Sequence, residues 1–241
     1  MMDICRSISV FQNGLIHCKV LNCMFIYDQS LYNKFYVFRD RVDAGKRLSK
    51  FIPEFDFVVA IPAGGVPVAA EVAKEKKAML KVLLVSKVLF PWTTEAGFGA
   101  VSEFGDVVLD DEMAKRLGKT VVDFQVKKTI EKIKRRRELI PDRFLIKEKM
   151  KGKAVLIDDG LATGYTMLTA IRAAKRFFDE VYVAVPTASK SAVELIENEC
   201  KCVYVLNLRD VYPYAVADAY EIWYDVSEEE MLEILKEFEL K

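Results

Sequence analysis

Histidine is almost missing from this chain, with His17 the single example in 241 residues. Its neighbours Cys18 and Cys23 are poorly spaced and no second pair completes a tetrahedron, so zinc is not expected, and these cysteines read as small buried or half-buried side chains. Cysteine as a whole is sparse: Cys5, Cys18, Cys23, Cys200 and Cys202 are scattered and odd in number, which suits reduced thiols better than a disulfide framework. Excess charge of one sign is also lacking. With 36 basic and 36 acidic residues the formal net charge is zero, so neither nucleic acid nor a membrane surface is expected as the main partner. No apolar run is long and uninterrupted enough to span a bilayer, and no basic flank with an apolar stretch opens the chain, so the expectation is a cytoplasmic protein. No internal repeat or low-complexity linker divides it.

What remains is 52% hydrophobic and 30% charged, the balance of a soluble globular protein with a sizeable core. Residues 1–30 carry little pattern and read as an N-terminal extension or a loosely packed β arm, with residues 31–241 as the main domain. From Lys34 onward the chain becomes regular. Val42, Leu48, Phe51 and Ile52 mark a helix stopped by Pro53, Phe55 to Ile61 is a continuous apolar strand, Val66 to Lys76 is helical, and Leu80 to Ser86 is a second strand. A charged helix over 120–140 ends at Pro141; strands at 154, Val181 to Val185 and Val203 to Leu206 follow, with helices between them. Strands alternating with helices of this length predict an α/β fold, a doubly wound, mainly parallel sheet flanked by helices.

Residues 155–166 read Val-Leu-Ile-Asp-Asp-Gly-Leu-Ala-Thr-Gly-Tyr-Thr: an apolar run ending in two carboxylates, then a loop of small and hydroxylated residues. Ala154 to Ile157 has the length and branching of a buried strand, and from Thr166 the positions Met167, Ala170, Ile171, Ala174, Phe177 and Phe178 recur at helical spacing. Such a loop lies outside the carboxyl end of its strand, where its N–H groups and the helix N-terminus face an anion. Gly160 and Gly164 let the backbone approach closely, and Thr163 and Thr166 add hydroxyl donors. Two acids before an anion cradle would repel the ligand unless they hold something else. Ribose hydroxyls or a divalent cation on Asp158 and Asp159 meet that demand, and together they predict a sugar-phosphate site. A strand-to-helix turn with capping Asp and Thr is the plainer alternative. A second nest, Pro62-Ala63-Gly64-Gly65, follows the first core strand, although a tight turn alone would explain it equally well.

The order acid, acid, small loop, Thr, Gly, aromatic, Thr resembles the 5-phosphoribosyl-1-pyrophosphate (PRPP) motif of the type I phosphoribosyltransferases. The resemblance narrows to a largely uncharacterised bacterial and archaeal group of predicted phosphoribosyltransferases. It covers roughly residues 35–235, including Phe38-Arg39-Asp40-Arg41-Val42-Asp43-Ala44-Gly45, the Gly-Gly-Val-Pro-Val-Ala segment and a tail like Val226-Ser227-Glu228-Glu229-Glu230. It implies that Gly160, Ala162, Thr163, Gly164, Tyr165 and Thr166 bind the 5-phosphate, that Asp158 and Asp159 hold ribose and Mg²⁺, and that Ala63, Gly64 and Gly65 form the pyrophosphate loop, which in this family often contains a non-proline cis peptide. That group usually reads Pro-Arg-Gly-Gly, and alanine at 63 removes a cation.

The resemblance also places Lys87, at the end of the second strand, where related enzymes set a basic residue against the pyrophosphate, although a solvated lysine is the alternative. Leu89 to Phe104 resembles the family's flexible lid, with a static β excursion as the alternative, and Glu95 and Glu103 are its candidate general bases. Lys127, Lys128, Lys132, Lys134, Arg135, Arg136 and Arg137 make the helix before Pro141 basic. A solvated face with local pairing to Glu131 and Glu138 is expected there. Tyr212-Pro213-Tyr214 and Trp223-Tyr224 are candidates for a small hood or a dimer contact. Ala162, where hypoxanthine-type members carry an aspartate, looks more like the adenine and uracil enzymes. The implied function is transfer of the phosphoribosyl group from PRPP to a small nitrogenous base or amine with Mg²⁺. The alternative is a non-catalytic PRPP- or nucleotide-sensing protein of the same fold.

Overall fold

The computed structural model of the protein describes residues 8–12, 15–20, 23–94 and 96–239. Cys5 and Glu95 lie outside them, as do the side chains of His17, Cys18 and Cys23. The N-terminal strands β1 (Ile8–Gln12), β2 (Leu15–Val20) and β3 (Cys23–Asp28) lead into α1 (Arg41–Phe51), where the Asp40 carboxylate caps the Asp43 N–H at 2.8 Å. Then come β4 (Phe57–Ala60), α2 (Gly65–Lys76) and β5 (Met79–Val82). A three-stranded excursion follows, β6 (Val85–Leu89), β7 (Gly97–Ser102) and β8 (Val107–Leu109), succeeded by α3 (Asp111–Leu117) and α4 (Lys119–Leu139). The chain closes with β9 (Met150–Ile157), α5 (Tyr165–Ala174), β10 (Phe178–Ser189), α6 (Lys190–Ile196), β11 (Cys202–Arg209) and α7 (Glu228–Glu239).

The main sheet runs β1-β2-β3-β11-β10-β9-β4-β5, with every pair from β3 to β5 parallel. Side chains alternate across it: Val155 and Ile157 pack into the core under α1 and α2, and Ala154 and Leu156 into the core under α5 and α6. That two-faced burial is why the sequence shows continuous apolar runs rather than alternation, and it is the doubly wound architecture expected. No helix among the described residues is long and apolar enough to cross a membrane.

Three local expectations differ. Leu80 to Ser86 is not one strand: the chain leaves the main sheet after Val82 and enters the antiparallel sheet at Val85, with Leu83 and Leu84 buried at the crossover. Both sides of the break are apolar, so hydrophobicity alone could not show it. Lys87 accordingly lies inside β6 rather than at the end of the second strand. Phe178, read with the helix, starts β10, because α5 ends at Ala174.

Candidate active site

The carboxyl ends of β4 and β9 are level, with Ala60 paired to Ile157. The loops that follow therefore meet. A Cβ on Gly64 would lie 2.1 Å from Asp159 Oδ2, and one on Gly65 would lie 2.7 Å from the Ile157 carbonyl, so this pair of loops can touch only with glycine at both positions. The Pro62–Ala63 peptide is cis. The Gly65 and Val66 N–H groups donate to the Ile61 and Ala63 carbonyls, whereas among the described residues those of Ala63 and Gly64, which line the cleft, have no backbone acceptor.

On the other loop Gly164 adopts φ +85° as the N-cap of α5, with no side chain capping that helix. The first N–H groups of α5 are thus available to an anion beside the exposed Thr163 and the half-buried Thr166. The loop itself is rigidly held: Leu161 exchanges backbone hydrogen bonds with Thr187 and Ser189, and the Ser189 hydroxyl donates to the Ala162 carbonyl at 2.7 Å. Tyr165 turns away from the cradle and donates its hydroxyl to Asp110 at 3.1 Å.

Asp158 and Asp159 lie half-buried between the two loops. Asp158 Oδ1 accepts the Asp159 N–H at 2.9 Å, and Asp159 Oδ2 accepts Arg41 Nε at 2.9 Å. Burial pushes both carboxyls above their ordinary range, Asp158 far above it with help from the Asp159 charge. Arg41 opposes that shift on both, as does Lys87, which stands exposed in the same cleft. Arg41 is itself fixed from the C-terminal side: it donates to the Tyr224 carbonyl at 2.8 Å and its guanidinium lies 4.0 Å from the Trp223 ring centroid. Tyr220 donates its hydroxyl to the Asp159 carbonyl at 2.6 Å. Residues 220–224 thus act as a hood on the carboxylate pair. Their partner Arg41 fell within the quoted resemblance without a role; its place directly after a helix-capping aspartate was the only signal.

Among the described residues no three His, Cys, Asp or Glu side chains gather as a metal cage. Two carboxylates with oxygens left over, in a cleft where their charges cost free energy, still fit Mg²⁺, which keeps several waters and is bound by one or two carboxylates together with substrate phosphates. The expected site residues other than Gly65 and Tyr165 line a cleft of about 760 Å³, and Ala162, Thr163 and Tyr214 are shared with a second cavity of about 510 Å³ lined also by Ser189, Arg209 and Asp210.

Other expected residues fall elsewhere. Glu103 is no lid base: its side chain is 1% exposed, accepts the Leu84 N–H at 3.0 Å and pairs with Arg137 at 3.3 Å. Burial, the largest influence, raises its pKa. Most of the lid segment is packed, since Phe98, Ala100 and Val101 of β7 are buried between α4 and α5, and only the tip around the exposed Trp92 stands clear. The basic helix does not pair with Glu131 and Glu138 side chains; Arg136 reaches Glu228 at 2.7 Å and Arg137 reaches Glu103, while Lys132 and Arg136 line the cleft.

No protein-family model matches the chain. It is similar to a Mycobacterium tuberculosis H37Rv protein named "Putative phosphoribosyl transferase Rv0571c", 32% identical over a match of 209 residues that covers 83% of this chain and 46% of that protein. The counterpart from strain CDC 1551, with the same printed activity, matches equally, so the chain spans about half the length of the curated relatives it matches. Among solved structures, the protein TT1426 from Thermus thermophilus is 31% identical with a TM-score of 0.65, covering 83% of this chain and 98% of that one.

Proposed function

From the premise that the chain belongs to the type I phosphoribosyltransferase family, we propose that it moves the 5-phosphoribosyl group of PRPP onto a nitrogenous base or amine and releases pyrophosphate, in the cytoplasm. One observation supports the reading: two glycine-containing loops with backbone donors to spare meet at a pair of half-buried carboxylates that line one cleft. In it, Gly160, Ala162 to Thr166 and the α5 N-terminus hold the 5-phosphate, Asp158 and Asp159 the ribose hydroxyls, and Ala63 to Gly65 with Lys87 the pyrophosphate. Mg²⁺, held by Asp158 and Asp159 with the substrate, would neutralise the leaving group. Breaking the anomeric bond develops oxocarbenium character at the sugar, so the chain's task is to position both ends and surround the departing charge. Ionised with Mg²⁺, Arg41 and Lys87 offsetting the cost of burial, the carboxylates would face the positive side of that transition state. No covalent nucleophile is required.

The acceptor enters beside Ala162, which supplies no acid–base group, and Glu103 is committed elsewhere. An acceptor nitrogen already carrying a lone pair suits such a site. The second reading, a PRPP sensor that binds without turnover, is favoured by the uncharged residue 63. Product analysis with PRPP, Mg²⁺ and a panel of nucleobases and amines separates them: pyrophosphate together with a new N-ribosyl monophosphate supports transfer, whereas binding with no pyrophosphate from any acceptor supports sensing.

A further inference from the structure

We infer that α4 belongs to the ligand site: Lys132 and Arg136 grip the pyrophosphoryl end of the donor, supplying cations that the Ala63–Gly65 loop lacks. The inference rests on the PRPP reading and extends it to residues that no motif marks. Along α4, Gln125, Thr129 and Ile133 are buried, so one stripe faces the molecule. Lys132 and Arg136, four residues apart, border that stripe and line the same cleft as Ala63, Gly64 and Lys87. Lys127, Lys128, Lys134 and Arg135 are exposed elsewhere on the helix and line neither cavity.

The charges are unevenly shared. On the floor of the cleft, Arg41 is engaged by Asp159. On the α4 wall, among the described residues, Lys132 has no ion pair and Arg136 holds Glu228 at 2.7 Å with its own side chain 12% exposed, while Asp225 also lines the cleft. Lys132 is exposed in the cleft, where partial desolvation first and then the neighbouring Arg136 charge lower its ammonium pKa against the raising pull of Glu228, so the two cations repel each other. A polyanion placed between the Ala63–Gly65 loop and this wall would relieve it. Arg offers two parallel donors to phosphate oxygens and Lys a point charge, and α4 presents one of each.

Calorimetry of the whole chain tests this, with Mg²⁺-pyrophosphate as one probe and AMP as the other. Lys132→Gln and Arg136→Gln are each expected to weaken pyrophosphate about tenfold and to leave AMP within about twofold, because AMP uses the other loop. Lys128→Gln, the same charge change on the exposed face, should alter neither. Unchanged pyrophosphate affinity in Lys132→Gln, or an equal loss in Lys128→Gln, overturns the inference. If Arg136→Gln loses its fold with its Glu228 contact, Lys132→Gln carries the test alone. A wild type that binds AMP but no pyrophosphate sinks the α4 subsite while sparing the phosphate loop; binding of neither probe sinks the phosphoribosyl reading as well.

Discussion

Asp158 and Asp159 are adjacent in sequence and make opposite demands on the fold. Asp159 is the partner of the buried Arg41, whereas Asp158 accepts its neighbour's N–H and feels Arg41 and Lys87 only through their charge. Asp158→Asn keeps that bond and removes a charge whose ionisation the fold resists. It should therefore stabilise the unliganded protein at pH 7 by on the order of 1 kcal/mol, about 2 to 4 °C in Tm, while weakening PRPP binding. The sign follows from linkage. A raised carboxyl pKa contributes stability that is full below the unfolded value near 4 and is lost as pH rises through the folded value, so the variant's advantage should vanish in acid and grow with pH. Asp159→Asn instead weakens the one ion pair of a buried guanidinium and should cost about 3 kcal/mol. Thermal melts over pH 4 to 8 check both. Asp158, Asp159, Thr163 and Thr166 could be grouped from sequence because they are contiguous. Arg41 could not, since it reaches Asp159 from 118 positions away.

At the scale of elements, the two loops and the excursion divide the work. Gly64→Ala forces a methyl into the Asp159 side chain, so that carboxylate must move from its place beside Arg41; the sheet beneath is unaffected, and the expected result is a folded protein with PRPP affinity reduced at least about tenfold. The excursion should move only at its tip. Amides of β7 and β8 should stay protected from hydrogen exchange with or without ligand, while residues 90–94 become protected when PRPP and Mg²⁺ bind. Excising the tip is expected to abolish transfer and spare AMP binding. Protection of the tip in both states would count against a lid. The helices and the motif loop were legible because caps, proline and apolar spacing punctuate them: Pro53 follows α1 and Pro141 follows α4. The excursion was not, because Leu83 and Leu84 look like strand interior whichever sheet they serve, and Glu103 reads as a candidate lid base because its burial beside Arg137 has no local signature.

For the whole molecule, alternation of strand and helix was sufficient to predict a parallel doubly wound sheet, since each strand must be apolar on both faces to lie between two helical layers. Strand order was not legible, and it is the order that matters: β4 beside β9 is what sets Gly64 against Asp159. The basic helix shows the same limit. Composition gave its charge, but only packing decides which two of its cations meet the cleft. Because ligand binds only the assembled loops, PRPP with Mg²⁺ at a hundred times its Kd should stabilise the chain by about 2.7 kcal/mol, about 5 to 11 °C in Tm. The most direct test is calorimetric titration of PRPP and Mg²⁺ into the wild type, the Asp158→Asn/Asp159→Asn variant and Thr163→Val. Binding to the wild type that weakens by about 1.5 to 3 kcal/mol with each lost charge-assisted hydrogen bond is the predicted result. Unchanged affinity in both variants, or no binding to the wild type, would contradict a PRPP site built on these residues.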